Sequence, residues 1–153
     1  AGPQAGLAAA RAIAMITYRS VMEFEQRFGR RQTRVPGRFD VDHYLRRHGQ
    51  KLVDRFDARS YVSLMQAMDS HDVGELSAAA RQTAWRVREV VGVGIDSDIL
   101  YYPREIRDWV AGYSAGGIAA RYEEIRSEYG HDAFLIEFDQ VERLLGDGRT
   151  NRE

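Results

Sequence analysis

One seven-residue run decides which folds are open to this chain. EVVGVGI, at residues 89–95, is short, almost continuously apolar and carries several β-branched side chains. Such a run suits a strand buried on both faces, as in parallel sheets, where polar and apolar positions do not alternate. It stops at the acidic turn Asp96-Ser97-Asp98. Pro103 then opens a predicted helix over 104–113, with Ile106, Trp109, Val110 and Tyr113 on one side. Proline is tolerated in a first helical turn, where its missing N–H has no intrahelical partner. Gly116-Gly117 closes that unit, and IAARYEEIR (118–126) reads as a second strand. The loop SEYGHDAF leads into a last predicted helix over 133–145, with Phe134, Leu135, Phe138, Val141, Leu144 and Leu145 turned inward. Strand–helix–strand–helix is an α/β unit, and its crossover should be right-handed. Two parallel strands alone make a poor core, so these two are expected to belong to a larger sheet.

The first half has a different period. Leu7, Ile13, Ile16, Val21, Phe24 and Phe28, separated by alanines, predict a helix over 7–28. GRRQTRVPGRFD (29–40) is a loop by its Pro36-Gly37 and its arginines. Val41, Tyr44, Leu45, Leu52 and Val53 predict a helix over 41–53, with Asp40 placed to cap it. Tyr61, Leu64, Met65 and Met68 predict another over 58–69, all four on one face. HDVGE at 71–75 is a break, and a short helix is expected over 76–84. The tail GDGRTNRE should fray. The expected organisation is a helical region, 1–84, followed by an α/β region, 85–153.

Composition removes several classes of function. Twenty-two basic residues nearly cancel 23 acidic ones, leaving a formal charge of −1. Nucleic-acid binding by bulk electrostatics needs a basic excess or stripe. The chain has no cysteine, which excludes disulfides, thiolate metal sites and a Cys nucleophile. No apolar stretch is long enough to span a membrane. The first twenty residues lack a basic segment ahead of their apolar run, so they do not read as a signal peptide. A start at Ala1 suggests a processed product or a fragment. His43, His48 and His71 form no H-x-x-x-H pair, so no metal site is expected. Gly92 and Gly94 lack the third glycine of a dinucleotide fingerprint. Arg30, Arg31, Arg34 and Arg38 could attract a polyanion such as the phosphates of coenzyme A, or could simply stay in water.

In open α/β sheets reactive groups gather in loops at the carboxyl ends of strands. One such loop carries Asp98 and the next carries His131, 33 residues on, the length of one helix plus one strand. Both loops should reach the same sheet edge. An Asp that accepts from one imidazole nitrogen fixes the tautomer and leaves the other nitrogen to act as a base. The alternative is that Asp98 caps the region of the 104–113 helix and His131 is an ordinary loop histidine.

Four segments, GLAAARAIAMITYRS (6–20), FDVDHYLRRHGQKLVDRFDARSYVSLMQAMDSHDVG (39–74), GIDSDILYYP (94–103) and YGHDAFLIE (129–137), together resemble the homoserine O-acetyltransferase family. The resemblance spans residues 6–137 and implies the α/β-hydrolase fold. In it, Asp98 and His131 correspond to two members of a Ser-His-Asp triad, in the chain order of that fold, acid before His. Arg11, Tyr18 and Asp132 correspond to substrate contacts: a guanidinium for the carboxylate of homoserine, a hydroxyl to orient it and a carboxylate for its ammonium. Arg19, eight residues after Arg11, is the competing choice of guanidinium. The serines, at 20, 60, 63, 70, 77, 97, 114 and 127, are read as lying outside any nucleophile elbow.

The resemblance therefore implies the carboxyl-terminal portion of the enzyme: a helical lid, then the acid and His loops, with the nucleophile in a missing amino-terminal half. A split protein whose other chain supplies that half, or an inert interaction module, are the alternatives. It further implies a cytoplasmic enzyme of methionine biosynthesis with acyl-CoA and L-homoserine as substrates, serine being the near alternative acceptor. Acetyl-CoA would be a co-substrate, with no cofactor and no metal, and a homodimer would form through the lid helices.

Overall fold

The computed structural model describes residues 2–72 and 88–146. They form two units, one of residues 2–17 and 24–72, the other of residues 18–23 and 88–146. The helix expected over 76–84 and the tail lie outside the described residues.

The helical unit contains α1 (Pro3–Thr17), the end of α2 (Val21–Arg27), α3 (Asp40–Val53) and α4 (Ala58–Asp69). The single helix expected over 7–28 is two helices, broken at 18–20. Its apolar pattern does not mark one buried stripe either: Leu7 and Met15 are buried, whereas Ile13, Ile16 and Val21 are exposed. α1 packs on α3 at a close backbone approach, where Gly49 is buried against Ala8. A Cβ on Gly49 would lie 2.8 Å from the Ala8 carbonyl oxygen. A mid-helix glycine costs helix stability, and here it permits that contact. Asp40 does not cap α3. It lies in the first turn, the capping position is Phe39, and no side chain bonds there. α4 is capped by Asp57, whose carboxylate accepts from Ser60 N–H at 2.8 Å. That bond holds the Asp57 carboxyl below the usual carboxylate range. On α4, Leu64, Met65 and Met68, which share one face, are exposed.

The α/β unit is built on β1 (Val90–Ile95), α5 (Pro103–Ala115) and β2 (Ala120–Ile125), closed by a 3₁₀ turn (Gly130–Leu135) and α6 (Phe138–Gly146). β1 and β2 pair in parallel, Val90 opposite Ala120 through Ile95 opposite Ile125. α5 packs on both strands. Ile95, Ile125 and Ala133 are the buried centre, with Tyr129, Val141 and Leu144 against them. β1 is not covered on both sides as its apolar run suggested, since Val91 and Val93 are 36% and 39% exposed. The segment expected as one helix over 133–145 is a 3₁₀ turn followed by α6, and Phe134, Leu135, Phe138 and Leu145 face outward.

Candidate active site

The site grows from the two loops that leave the carboxyl ends of β1 and β2. Three consecutive residues after β1 each grip the second loop. Asp96 Oδ1 accepts from Ser127 N–H at 2.9 Å, Ser97 Oγ accepts from Gly130 N–H at 3.0 Å, and Asp98 Oδ2 lies 2.9 Å from His131 Nδ1. The other oxygen of Asp98 accepts from the N–H groups of Leu100 and Tyr101, at 2.7 and 3.0 Å. Asp98 is 5% exposed, so its carboxylate is held by three donors away from water. Cap and histidine partner, posed as alternatives, are both served by this one side chain, and the turn it caps precedes α5.

His131 sits among aromatic rings. Tyr18, Tyr101 and Phe134 have centroids 5.5, 5.4 and 5.8 Å from its own. Its Nε2 has no hydrogen-bond partner among the described residues. A cavity of about 290 Å³ adjoins it, lined also by Val93, Tyr101, Ile106 and Phe134. With Nδ1 on Asp98, Nε2 is the nitrogen available to take or give a proton.

Residues 18–23 complete the site. Tyr18 O accepts from Asp132 N–H at 3.2 Å, and Ser20 Oγ bridges the Glu128 carbonyl and the Glu23 N–H. Arg19 pairs with Glu23 and stands 3.5 Å from Asp132. The chain can come this close only because residue 130 is glycine. Gly130 has φ +70°, and a Cβ there would fall 2.6 Å from Ser20 N. Of the residues singled out from sequence, Tyr18, Asp98, His131 and Asp132 meet in this unit, while Arg11 belongs to α1 in the helical unit. Sequence reading missed Ser20, Glu23, Asp96 and Ser97. Their signal was the position of Asp96 and Ser97 directly beside Asp98, and nothing local pointed to Ser20 or Glu23.

Ser114 is the serine to weigh as a nucleophile. The letters G-x-S-x-G do occur, at Gly112–Gly116. Ser114 is not on an elbow, however: it lies in the last turn of α5 and its Oγ bonds the Ala120 carbonyl at the start of β2. His131 follows the far end of that strand, roughly 20 Å away along six residues. Among the described residues no serine hydrogen-bonds to His131. No described helix is long and apolar enough to cross a membrane.

A buried Asp bonded to a His at the carboxyl end of a parallel sheet is the arrangement in which α/β-hydrolase folds carry an acid and a base. Comparison with known proteins names the kind. No family model matches the chain. Homoserine O-acetyltransferase of Moorella thermoacetica is 44% identical over 153 residues, 95% of this chain and 41% of that protein. The enzyme of the same name from Trichormus variabilis is 42% identical over 146 residues, 94% of this chain and 39% of its own. A crystal structure of homoserine O-acetyltransferase from Bacillus anthracis superposes with a TM-score of 0.78 at 17% identity, over all of this chain and 43% of that one. The chain is thus homologous to homoserine O-acetyltransferases over nearly its whole length, and its fold is that of the carboxyl-terminal part of such a structure. It spans about two fifths of the length of the relatives it matches.

Proposed function

We propose that this chain supplies the general base and the acceptor-binding side chains of an O-acyltransferase that moves an acetyl group from acetyl-CoA to the hydroxyl of L-homoserine. The observation that carries the reading is the 2.9 Å contact of His131 Nδ1 with buried Asp98, in a chain homologous to homoserine O-acetyltransferases. A serine outside this chain attacks the thioester carbonyl while His131 Nε2 takes its proton. The tetrahedral adduct collapses, the C–S bond breaks, and the thiolate of CoA leaves with that proton. The homoserine hydroxyl then attacks the acyl-serine, again giving its proton to Nε2, and the proton returns to the serine as the ester departs. Asp98 stabilises the imidazolium in both halves.

Arg11 holds the acceptor carboxylate, Asp132 its ammonium, and Tyr18 orients an acceptor oxygen. Arg11 is the guanidinium that the resemblance implies, and Arg19, which pairs with Glu23 and stands 3.5 Å from Asp132, is the competing choice. The helical region expected over 1–84 serves as a lid that keeps water from the acyl-enzyme, so transfer outpaces hydrolysis. The enzyme acts in the cytoplasm, in methionine biosynthesis, needs no cofactor beyond its co-substrate, and pairs as a dimer through lid helices. The exposed Val62, Leu64 and Met68 of α4 support that pairing.

The test is a chimera in which this chain replaces the matching segment of the Moorella thermoacetica relative. It should release CoA thiol from acetyl-CoA when homoserine is present, and His131→Ala should abolish this. A folded chimera without acetyl transfer overturns the reading. The 153-residue chain alone should give no His131-dependent thiol release; a rate that vanishes in His131→Ala would place the nucleophile inside the chain.

A further inference from the structure

The helical unit carries a cationic groove of about 460 Å³ on one side of α3, lined by Arg27, Arg31, His43, Arg47, His48 and Lys51, with the rings of Phe28 and Tyr44. Asp40, at the start of α3, is the one carboxylate lining it. A second pocket shares His48 and Lys51 with it and adds Arg11 and Arg55.

Two faces of α3 treat charge differently. On one face the spacing of four pairs Asp42 with Arg46 at 2.8 Å and Gln50 with Asp54 at 2.7 Å. On the groove face the same spacing sets His43, Arg47 and Lys51 in a row. Arg47 and Lys51 make no ion pair among the described residues. Like charges four apart on a helix repel, so this row costs stability in the absence of an anion. The rim adds an aromatic surface: the Tyr44 and His48 rings are 4.5 Å apart, and the Arg27 guanidinium lies 4.9 Å from the Tyr44 centroid.

Clustered cations beside a flat aromatic surface suit closely spaced phosphates attached to a base. We propose that this groove binds the phosphorylated nucleotide end of an acyl-CoA. The identity of the nucleotide rests on the acyl-transfer reading above; the anion site itself rests on Arg47 and Lys51, which line the groove and make no ion pair among the described residues. The second pocket ties the groove to Arg11, the residue assigned to the acceptor carboxylate.

Calorimetric titration of the 153-residue chain with coenzyme A, adenosine 3′,5′-bisphosphate, adenosine and inorganic pyrophosphate tests this. Coenzyme A and the bisphosphate should bind, adenosine should not, and pyrophosphate should bind more weakly than either nucleotide. Arg47→Glu and Lys51→Glu should each weaken binding by about tenfold or more, the usual loss of a charge-assisted contact. Arg46→Glu, on the paired face, should leave binding unchanged, and circular dichroism should show all three variants folded. Equal weakening by Arg46→Glu would reduce the effect to net charge and overturn the site. Affinity unaltered by Arg47→Glu and Lys51→Glu would overturn it too, and pyrophosphate binding as tightly as coenzyme A would overturn the nucleotide assignment. Binding involves no chemistry, so an inactive chimera with nucleotide binding intact sinks the acyl-transfer reading and spares the groove. An active chimera whose coenzyme A affinity ignores Arg47 and Lys51 does the reverse.

Discussion

The helical and α/β units are organised by interactions of different range. In the helical unit, side-chain bonds such as Asp57 to Ser60, Asp42 to Arg46 and Gln50 to Asp54 are local. Around the candidate site they join residues far apart in sequence, Ser97 to Gly130 across 33 positions and Ser20 to Glu128 across 108. Local bonds form whenever the helix forms. The long-range set exists only once β1, β2 and residues 18–23 have come together, so the site should fail as a unit while the helices persist.

The largest test of that contrast is catalytic. Asp98→Asn in the chimera should leave the fold intact and lower kcat by on the order of 10³–10⁴-fold, because the imidazole loses its tautomer control and its counter-charge. A kcat within a few-fold of the parent would mean that the Asp98–His131 contact is structural only. Next comes Gly130→Ala in the 153-residue chain. A positive φ and a Cβ 2.6 Å from Ser20 N should together cost about 3 kcal/mol or more. Hydrogen exchange should show the loss in residues 88–146 and at 18–23, with α3 and α4 protected as before. Uniform loss across both units would erase the distinction drawn here.

Arg11→Ala sharpens the comparison from the helical side. It should leave the burst of CoA release in the chimera nearly intact and raise the Michaelis constant for homoserine by about 2–4 kcal/mol of lost binding. Arg11→Lys should recover part of this, since an ammonium cannot make the two-pronged contact. The same pattern from Arg19→Ala, with Arg11→Ala silent, would move carboxylate recognition into the α/β unit.

The smallest effects are on pH dependence, and they differ in sign between the units. Burial, and then the hydrogen bond to Glu124, pushes the Tyr122 hydroxyl up to about 12 from 10.0. A raised folded value favours the protonated form, so this contribution is full below pH 10.0 and is lost as pH rises through about 12. Asp57 is shifted down, so its contribution is present above the ordinary value of 3.8 and is lost as pH falls through the depressed one. Tyr122→Phe should flatten the alkaline limb of a stability profile and Asp57→Ala the acid limb. A Tyr122→Phe profile that follows the parent through alkaline pH would show that the hydroxyl does not couple to folding.

Much of the secondary structure was legible because it rests on near-neighbour physics. The helices at Asp40–Val53, Ala58–Asp69 and Pro103–Ala115 and both strands follow from periodicity, a proline and β-branched runs. The break at residues 18–20 was not, because Tyr18-Arg19-Ser20 contains no glycine or proline. Those residues leave the helix to bond Asp132 and Glu128, partners more than a hundred positions away. Burial was misjudged after Ala133, at Phe134, Leu135, Phe138 and Leu145, for a related reason: periodicity says which side chains share a face and not what, if anything, covers it.

By itself the sequence determined the strand–helix–strand unit, the two loops at its carboxyl edge and the residues Asp98 and His131 on them, since a parallel crossover leaves both loops on one side. Only the tertiary structure decided that Asp98 caps its own turn and holds the imidazole at once, that Arg19 is committed to Glu23 and Asp132, and that Ser114 lies at the wrong end of β2 to serve His131. Each of these depends on distances between segments remote in the chain. Such distances are set by packing, through contacts like the one Gly130 allows against Ser20, and no local pattern encodes them.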